Sequence, residues 1–394
     1  MRVLFLTPRQ LVEPRSGGTI KSAAVLAYLE ARHDLEVVCF RGHDDEPWVR
    51  EGGAISIPLE RGRSVRHLVS SYAGGVPLSI ERNRSATMAE RVAQLLETGA
   101  YDAVFVDGWL MAQYVPDEYR GLRLLHEHNA EHVMWRRHAE LETKRFRRPL
   151  VRLEARRVRR YEADLLSRFD VVFAVSERDR ATLAALVTSE PRIDLLPNVA
   201  DPALLERPEL TPSPEPVLLF LATLSWPPNA EGLSRFLDDD LPALLERVPG
   251  ARLVVAGAGA PERLVRQVHV SRGAEFAGPV EDDEALYRRA RCFVDVGVGG
   301  SGTKVKVLNA LARGLPVVTG PDGAAGLDVS SGEHLLIADD RDSMVAALEF
   351  VIEEDATWEM LSRSGRELVR RRYVPEVAFG ALDEALSQPT SSSG

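Results

Sequence analysis

Cysteine is almost absent. Cys39 and Cys292 are the only two in 394 residues, and each lies inside an apolar run that reads as a buried strand. Two such residues exclude a disulfide framework, so the chain must bury a core of its own, and a reducing compartment fits. Long hydrophobic runs are missing as well: none approaches the roughly 18 residues a membrane span needs. The N-terminus enters a strand directly, with Arg2 followed by Val-Leu-Phe-Leu, and lacks the regions of a signal peptide. A cytoplasmic protein is therefore expected. Nor is there a basic surplus: a net charge of −10 and a pI near 5.5 argue against general nucleic-acid binding. What remains is ordinary globular composition, 45% hydrophobic and 27% charged, in a chain long enough for two domains.

Short apolar runs alternate with longer amphipathic stretches. Val3–Leu6, Leu35–Phe40, Ala103–Val106, Leu122–Leu125 and Val171–Val175 read as strands of a first half. Val217–Leu221, Arg252–Ala256, Cys292–Val296 and Pro316–Thr319 read as strands of a second. Helical patterns lie between them, among them Thr19–Ala31, Arg84–Leu96, Ala230–Glu246 and Thr303–Ala312. Continuous apolar strands with intervening helices mean a parallel sheet covered on both faces, and here the pattern runs twice. Residues 1–199 and 216–373 are the expected domains, both α/β and Rossmann-like, with a proline-rich linker at 200–215. A C-terminal helix at 374–387 is expected to cross back to the first domain, and the polar tail 388–394 to be disordered.

Two glycine-rich turns occupy comparable places. Ser16-Gly17-Gly18-Thr19 follows the first strand, and Gly297 to Lys304 follows Cys292–Val296 and opens a helix. Such turns bring backbone N–H groups to an anion at a helix N-terminus. Lys304 and Lys306 add positive charge where cations are normally unfavourable, which points to a bound phosphate. A P-loop is rejected because Thr303-Lys304 reverses its last pair, and Gly257-Ala-Gly259 fails as a dinucleotide fingerprint because Glu262 replaces its last glycine.

The chain resembles the GT-B glycosyltransferases of the family-4 type, the glycosyl transferases group 1, over nearly its whole length. The likeness rests on Ser16-Gly17-Gly18, on Glu127-His128-Asn129-Ala130-Glu131, on Val175-Ser176-Glu177 and on Leu196-Pro197-Asn198. It is clearest in Gly300-Ser-Gly-Thr-Lys-Val-Lys-Val-Leu-Asn-Ala-Leu-Ala-Arg-Gly-Leu-Pro-Val-Val318, then in Gly323-Ala-Ala-Gly-Leu327 and Gly332-Glu-His-Leu-Leu336. The resemblance implies two Rossmann-like domains facing a central cleft, the first for the acceptor and the second for a nucleotide-diphosphate sugar. It implies a retaining, metal-independent hexosyltransferase without a cofactor, acting on a small-molecule specialised metabolite or a glycan. The diphosphate would lie over Ser301, Gly302, Thr303 and Lys304, helped by Gly17 and Gly18, and the base near Gly278 and Val280. The family's Glu-x7-Glu pair is replaced here by Ser301 and Asn309, leaving Asn309 to meet the ribose. Its basic pair after the first strand of the second domain is replaced by Ser225-Trp-Pro-Pro-Asn-Ala230, which leaves Lys304 to neutralise the diphosphate.

Polar groups of the first domain should face the sugar. Asp107, at the end of a strand, and His128 and Glu131, after the next, are the catalytic candidates. Asn129, Trp109 and Trp135 are candidates for the acceptor, the tryptophans by stacking. A metal is not expected: His126 and His128 can share a face, but no third ligand has convincing spacing. The basic stretch 144–160 suits either anionic lipid or a solvated helix in which Arg157 and Arg160 pair with Glu154, Glu162 and Asp164; its apolar face is thin and the solvated reading is preferred. Two other functional readings stand beside transfer. One is a non-catalytic or partner-dependent donor-binding subunit, motivated by Ser301 and Asn309, and the other a sugar-nucleotide epimerase or coupling enzyme.

Overall fold

Valine, leucine and phenylalanine in unbroken runs require a sheet buried on both sides, and the computed structural model contains two. It describes residues 1–12, 17–42, 45–50, 52–59, 65–187, 192–280, 282–297 and 304–387. The first compact unit holds most of residues 1–197 together with Phe379–Ser387, and the second holds Asn198–Ala378.

The first unit contains β1 (Arg2–Thr7), β2 (Asp34–Arg41), β3 (Ala54–Pro58), β4 (Ala103–Asp107), β5 (Leu122–Glu127), β6 (Val171–Ala174) and β7 (Arg192–Leu195). They form one parallel sheet in the order β3-β2-β1-β4-β5-β6-β7. Phe105 sits at its centre, stacked on Phe5 at 5.2 Å and near Phe173 at 6.3 Å. Helices α1 (Gly17–Glu30), α2 (Val65–Ala73), α3 (Glu131–Leu141) and α4 (Arg148–Leu166) belong to this unit.

The second unit contains β8 (Val217–Leu221), β9 (Arg252–Ala256), β10 (Ala274–Gly278), β11 (Cys292–Asp295), β12 (Val317–Thr319) and β13 (Leu336–Ile337), in the order β10-β9-β8-β11-β12-β13 and again parallel. Its helices include α5 (Pro202–Glu206), α6 (Pro227–Arg235) and α7 (Val305–Arg313). The pattern expected as one helix over 230–246 is divided by a π turn, Phe236–Asp240, where the Leu241 N–H reaches back to the Phe236 carbonyl. Pro242 next to it has no N–H to continue the regular ladder.

The proline-rich stretch expected as a linker is folded into the second unit. Leu204 of α5 is buried in that core, and the Pro208 carbonyl accepts from the buried Arg313 at 2.9 Å. Arg366 also donates to the Leu205 carbonyl at 2.8 Å. Helix α8 (Gly380–Ser387), by contrast, belongs to the first unit. There Tyr28 meets Phe379 edge-on at 5.1 Å, and its hydroxyl donates to Asp383 at 2.5 Å. The tail at 388–394 lies outside the described residues.

Candidate active site

In a parallel sheet all strand ends of one sense share an edge, the usual place for ligands in open α/β sheets. In the first unit that edge carries Thr7 (β1), Asp107 (β4), and His126 and Glu127 (β5). The β4–β5 register sets Asp107 opposite His126. Asp107 is 1% exposed; its Oδ2 accepts from Thr7 Oγ1 at 3.0 Å, while Oδ1 lies 3.1 Å from His126 Nδ1 and 2.8 Å from His128 Nε2. Burial pushes its carboxyl up, but the attraction of His128 and the hydrogen bonds from both rings outweigh this and hold it well below the usual carboxylate range. Burial, and next the proximity of His128, lowers His126 to about 3. A neutral His126 that donates from Nδ1 keeps a lone pair on Nε2, a buried atom with no partner among the described residues. His128, 24% exposed at its side chain, turns Nε2 to Asp107, which leaves Nδ1 as the ring nitrogen not engaged by that carboxylate.

Asp107 is thus the third group that spacing alone did not supply. Its oxygen and the two ring nitrogens lie within 4.8 Å of one another, a geometry in which a divalent ion could be held. The contacts of 2.8 and 3.1 Å are ordinary hydrogen-bond lengths, so the three groups satisfy one another directly.

Beyond β5 the chain enters α3 through Ala130, a poor N-cap with no side-chain acceptor. Glu162 of α4, fully buried, takes over that task. It accepts the Glu131 N–H at 2.8 Å, the His132 N–H at 2.9 Å and the His132 ring at 2.5 Å. Burial, followed by repulsion from Glu162, raises Glu131 to about 8, and burial with Glu162 and Glu131 beside it raises Glu127 well above the ordinary range. Glu131, expected as a catalytic carboxylate, therefore carries its proton at neutral pH. Asn129 is half-buried in the turn before α3. Trp135 is half-buried on the core and edge-on to His138 at 5.8 Å. Trp109 departs from its expected role as a stacking platform: it is 6% exposed, in the core, edge-on to Tyr161 at 6.1 Å.

Of the glycine turns, Gly17 opens α1 and Gly18 is exposed in its first turn. In the second unit Ser301, Gly302 and Thr303 lie outside the described residues. Lys304 is half-buried at the N-cap of α7. Lys306 is turned inward, 2.7 Å from Asp295 Oδ1 at the end of β11 and 2.8 Å from Asn229 Oδ1 in α6. The Gly297 N–H also donates to Asp295 Oδ1 at 3.1 Å. Asp295 is 1% exposed, and its Oδ2 has no partner among the described residues. A Cβ on Gly323 would lie 1.9 Å from Thr319 Oγ1 and 2.7 Å from Asp295 Oδ2, so the Gly323-Ala-Ala-Gly segment needs glycine to close over this carboxylate. Asn309, expected at the ribose, accepts the Asp201 N–H at 3.0 Å and so joins α7 to α5. Gly278 ends β10 at φ 76°, where a Cβ would meet open space, and Val280 follows it half-buried. Gly257 has a packing reason: a Cβ there would lie 1.8 Å from the Ala222 carbonyl oxygen.

Residues 17–199 match a family model described as glycosyl transferase 4-like domain, and residues 215–354 one described as glycosyl transferases group 1. An uncharacterised 44.6 kDa protein in the cps region of Klebsiella pneumoniae is 28% identical over 131 residues, 32% of this chain and 34% of that protein. The GDP-mannose-dependent alpha-(1-6)-phosphatidylinositol monomannoside mannosyltransferase of Mycobacterium tuberculosis is 28% identical over 227 residues, 52% and 58% of the two chains. The chain thus spans between a third and six tenths of the length of these curated relatives. Among solved structures, sucrose-phosphate synthase from Thermosynechococcus elongatus superposes with a TM-score of 0.70 at 15% identity, covering 98% of this chain and 99% of that one. Anabaena HepE in complex with UDP-glucose does so with a TM-score of 0.67, again at 15% identity and with the same coverage.

Proposed function

The chain belongs to the glycosyl transferases group 1 with a GT-B fold, and on that premise we propose that it moves a sugar from a nucleotide-diphosphate donor to an acceptor with retention of anomeric configuration. The observation that carries this reading is the start of α7, where Lys304 stands at the N-cap after a glycine-rich stretch, while the next lysine, Lys306, is engaged by Asp295. The helix dipole disfavours cations there unless an anion offsets them, and a diphosphate is an anion of the right size.

In this reading Ser301, Gly302, Thr303 and Lys304 receive the diphosphate, and Gly278 and Val280 flank the base. Asn309 meets the ribose through its amide N–H groups, since its carbonyl oxygen is engaged by Asp201. The leaving diphosphate needs charge stabilisation, which helix amides and Lys304 supply in place of a metal. His128 presents Nδ1 to a hydroxyl of the sugar or acceptor, and Asp107 fixes the tautomer from behind. Glu131 acts as a neutral hydrogen-bond donor, not as a base.

Calorimetric titration with UDP, GDP, dTDP and ADP, with ATP and NAD as controls, tests the site. One relative is named for GDP-mannose and one structural neighbour was solved with UDP-glucose, so these two donors are the first to assay for transfer. Selective binding of one diphosphate supports the proposal, and binding of none overturns it. A donor-binding subunit without turnover is the second reading, favoured by Ser301 and Asn309 standing where the family carries glutamates. Tight diphosphate binding with no transfer to any acceptor would support it.

A further inference from the structure

The carboxyl edge of the first sheet carries a second group of polar side chains, on the far side of β1 from Asp107. The chain turns at Pro8–Gln10 after β1, at Gly42 after β2 and at Leu59 after β3. These turns enclose a cavity of about 560 Å³, the size of a small-molecule site. Phe40 and Leu59, both buried, form its apolar wall, and Arg9, Gln10, Arg41 and Asp45 form its polar one.

These polar groups are not matched to one another. Arg9 is exposed and has neither a hydrogen bond nor an ion pair among the described residues. Arg41 is half-buried; its one side-chain hydrogen bond runs from Nη1 to the Asp45 carbonyl at 2.6 Å, and its buried Nε has no partner among the described residues. The Asp45 carboxylate turns instead to the Gly42 N–H, at 2.8 Å, and makes no ion pair with either arginine. Gln10 Nε2 donates to the Glu46 carbonyl at 2.9 Å and to Ser56 Oγ at 3.2 Å, which fixes the amide and leaves Oε1 without a donor among the described residues. Two guanidinium groups on one cavity repel each other unless an anion stands between them, and in a chain of net charge −10 neither has a carboxylate partner here.

We propose that this cavity receives an anionic substituent of the acceptor, a phosphate or carboxylate carried on a sugar, and so selects charged acceptors over neutral ones. The identification of the ligand as the acceptor rests on the sugar-transfer reading. Arg9 and Arg41 meet the anion through charge-assisted hydrogen bonds, and Gln10 Oε1 accepts a hydroxyl of the same ligand. A cationic ligand would find one carboxylate against two guanidinium groups. The sheet also sets a suitable span. Arg9 follows β1 as His128 follows β5, and these strands stand two spacings apart, about 10 Å. With the reach of an arginine side chain, a sugar bearing its charge on one side places the anion in the cavity and a hydroxyl at His128.

Calorimetry on the full chain compares glucose 6-phosphate, mannose 6-phosphate and glucuronate with glucose and mannose. The charged sugars should bind about tenfold or more tightly than the neutral ones, the worth of one charge-assisted hydrogen bond, and the order of phosphate and carboxylate names the anion. Arg9→Gln and Arg41→Gln should each remove about tenfold of that affinity and leave nucleoside-diphosphate titrations unchanged. Arg9 is exposed, so its variant keeps the fold and the test stands even where Arg41→Gln loosens the turn after β2. Equal binding of charged and neutral sugars would overturn the proposal. So would charged-sugar binding that survives both substitutions, or that is lost in Lys304→Ala and kept in Arg9→Gln. Each of these leaves a selective diphosphate titration, and with it the transfer reading, in place. Charged-sugar binding that needs Arg9 and Arg41 in a chain that binds no diphosphate would uphold the anion site and remove the transfer reading.

Discussion

His128 Nε2 stands 2.8 Å from Oδ1 of Asp107, a carboxylate only 1% exposed whose second oxygen is held by Thr7. Every acceptor position turned to a neighbour leaves Asp107 without access to a substrate, so its influence must pass through the ring it holds. Asp107→Asn should lower kcat on the order of 10²-fold, the cost of a misplaced reacting group, with little change in KM. His128→Ala should lower kcat at least as far, and the double variant no further, since the two act as one unit. Additive losses in steady-state kinetics would mean that Asp107 acts independently.

The carboxyls beside this pair make stability depend on pH. Glu131 has an ordinary value of 4.5 and is raised to about 8, first by burial and then by Glu162. Between these values the folded chain holds a proton that the unfolded chain has lost, so stability is full below about 4.5 and falls as pH rises through about 8. Denaturant melts from pH 5 to pH 9 should show this decline, and Glu131→Gln should flatten it. A wild-type profile that rises over the same window would contradict the assignment.

In the second unit the two lysines of α7 divide their tasks. Lys304, at the N-cap, is assigned to the diphosphate, and Lys306 to Asp295 at 2.7 Å. Lys304→Ala should weaken nucleotide-diphosphate binding about tenfold or more in calorimetry while leaving the melting temperature unchanged. Lys306→Met should instead destabilise the fold by about 3 kcal/mol, because it strands a buried carboxylate. Adding Asp295→Asn should recover part of that loss in thermal melts. An unaltered Lys306→Met melt would place Asp295 outside the fold's electrostatic core.

The central strands were legible from sequence because each is buried on both faces and so reads as an unbroken apolar run. The four strands that escaped notice, β3, β7, β10 and β13, are the four sheet edges. Each is only partly buried; three carry polar or small residues, as in Arg192-Ile-Asp-Leu and Ala274-Glu-Phe-Ala-Gly, and the fourth, β13, is two residues long. An edge lacks the apolar signal that burial on both faces imposes. The same limit applies to the polar clusters. His126 and His128 stand out by proximity, but their partner Asp107 lies 19 and 21 residues away and is supplied by strand register. Lys306 reads in sequence as positive charge added for a phosphate because its helix position is visible there and its partners Asp295 and Asn229 are not. The proline-rich stretch read as a linker because Arg313 and Arg366, which tie down its carbonyls, come from far along the chain.

Asp107, His126 and His128 also pose a question about metal that chelation answers. Their ligand atoms cluster within 4.8 Å, yet the direct contacts are hydrogen-bond lengths and each ring proton already has an acceptor. Inserting a divalent ion would require both rings to lose those protons and the carboxylate to give up two bonds. A lowered His126 makes the first loss easier, but its Nδ1 proton still belongs to a neutral ring, which binds metal only through the bare nitrogen. That nitrogen, Nε2, is buried and is not the atom turned to Asp107. Sugar transfer should therefore survive extended dialysis against EDTA, and added zinc or manganese should not raise kcat. Loss of transfer on chelation, restored by one metal in the wild type but not in His126→Ala, would reassign the three residues as ligands and replace the positioning role argued for Asp107.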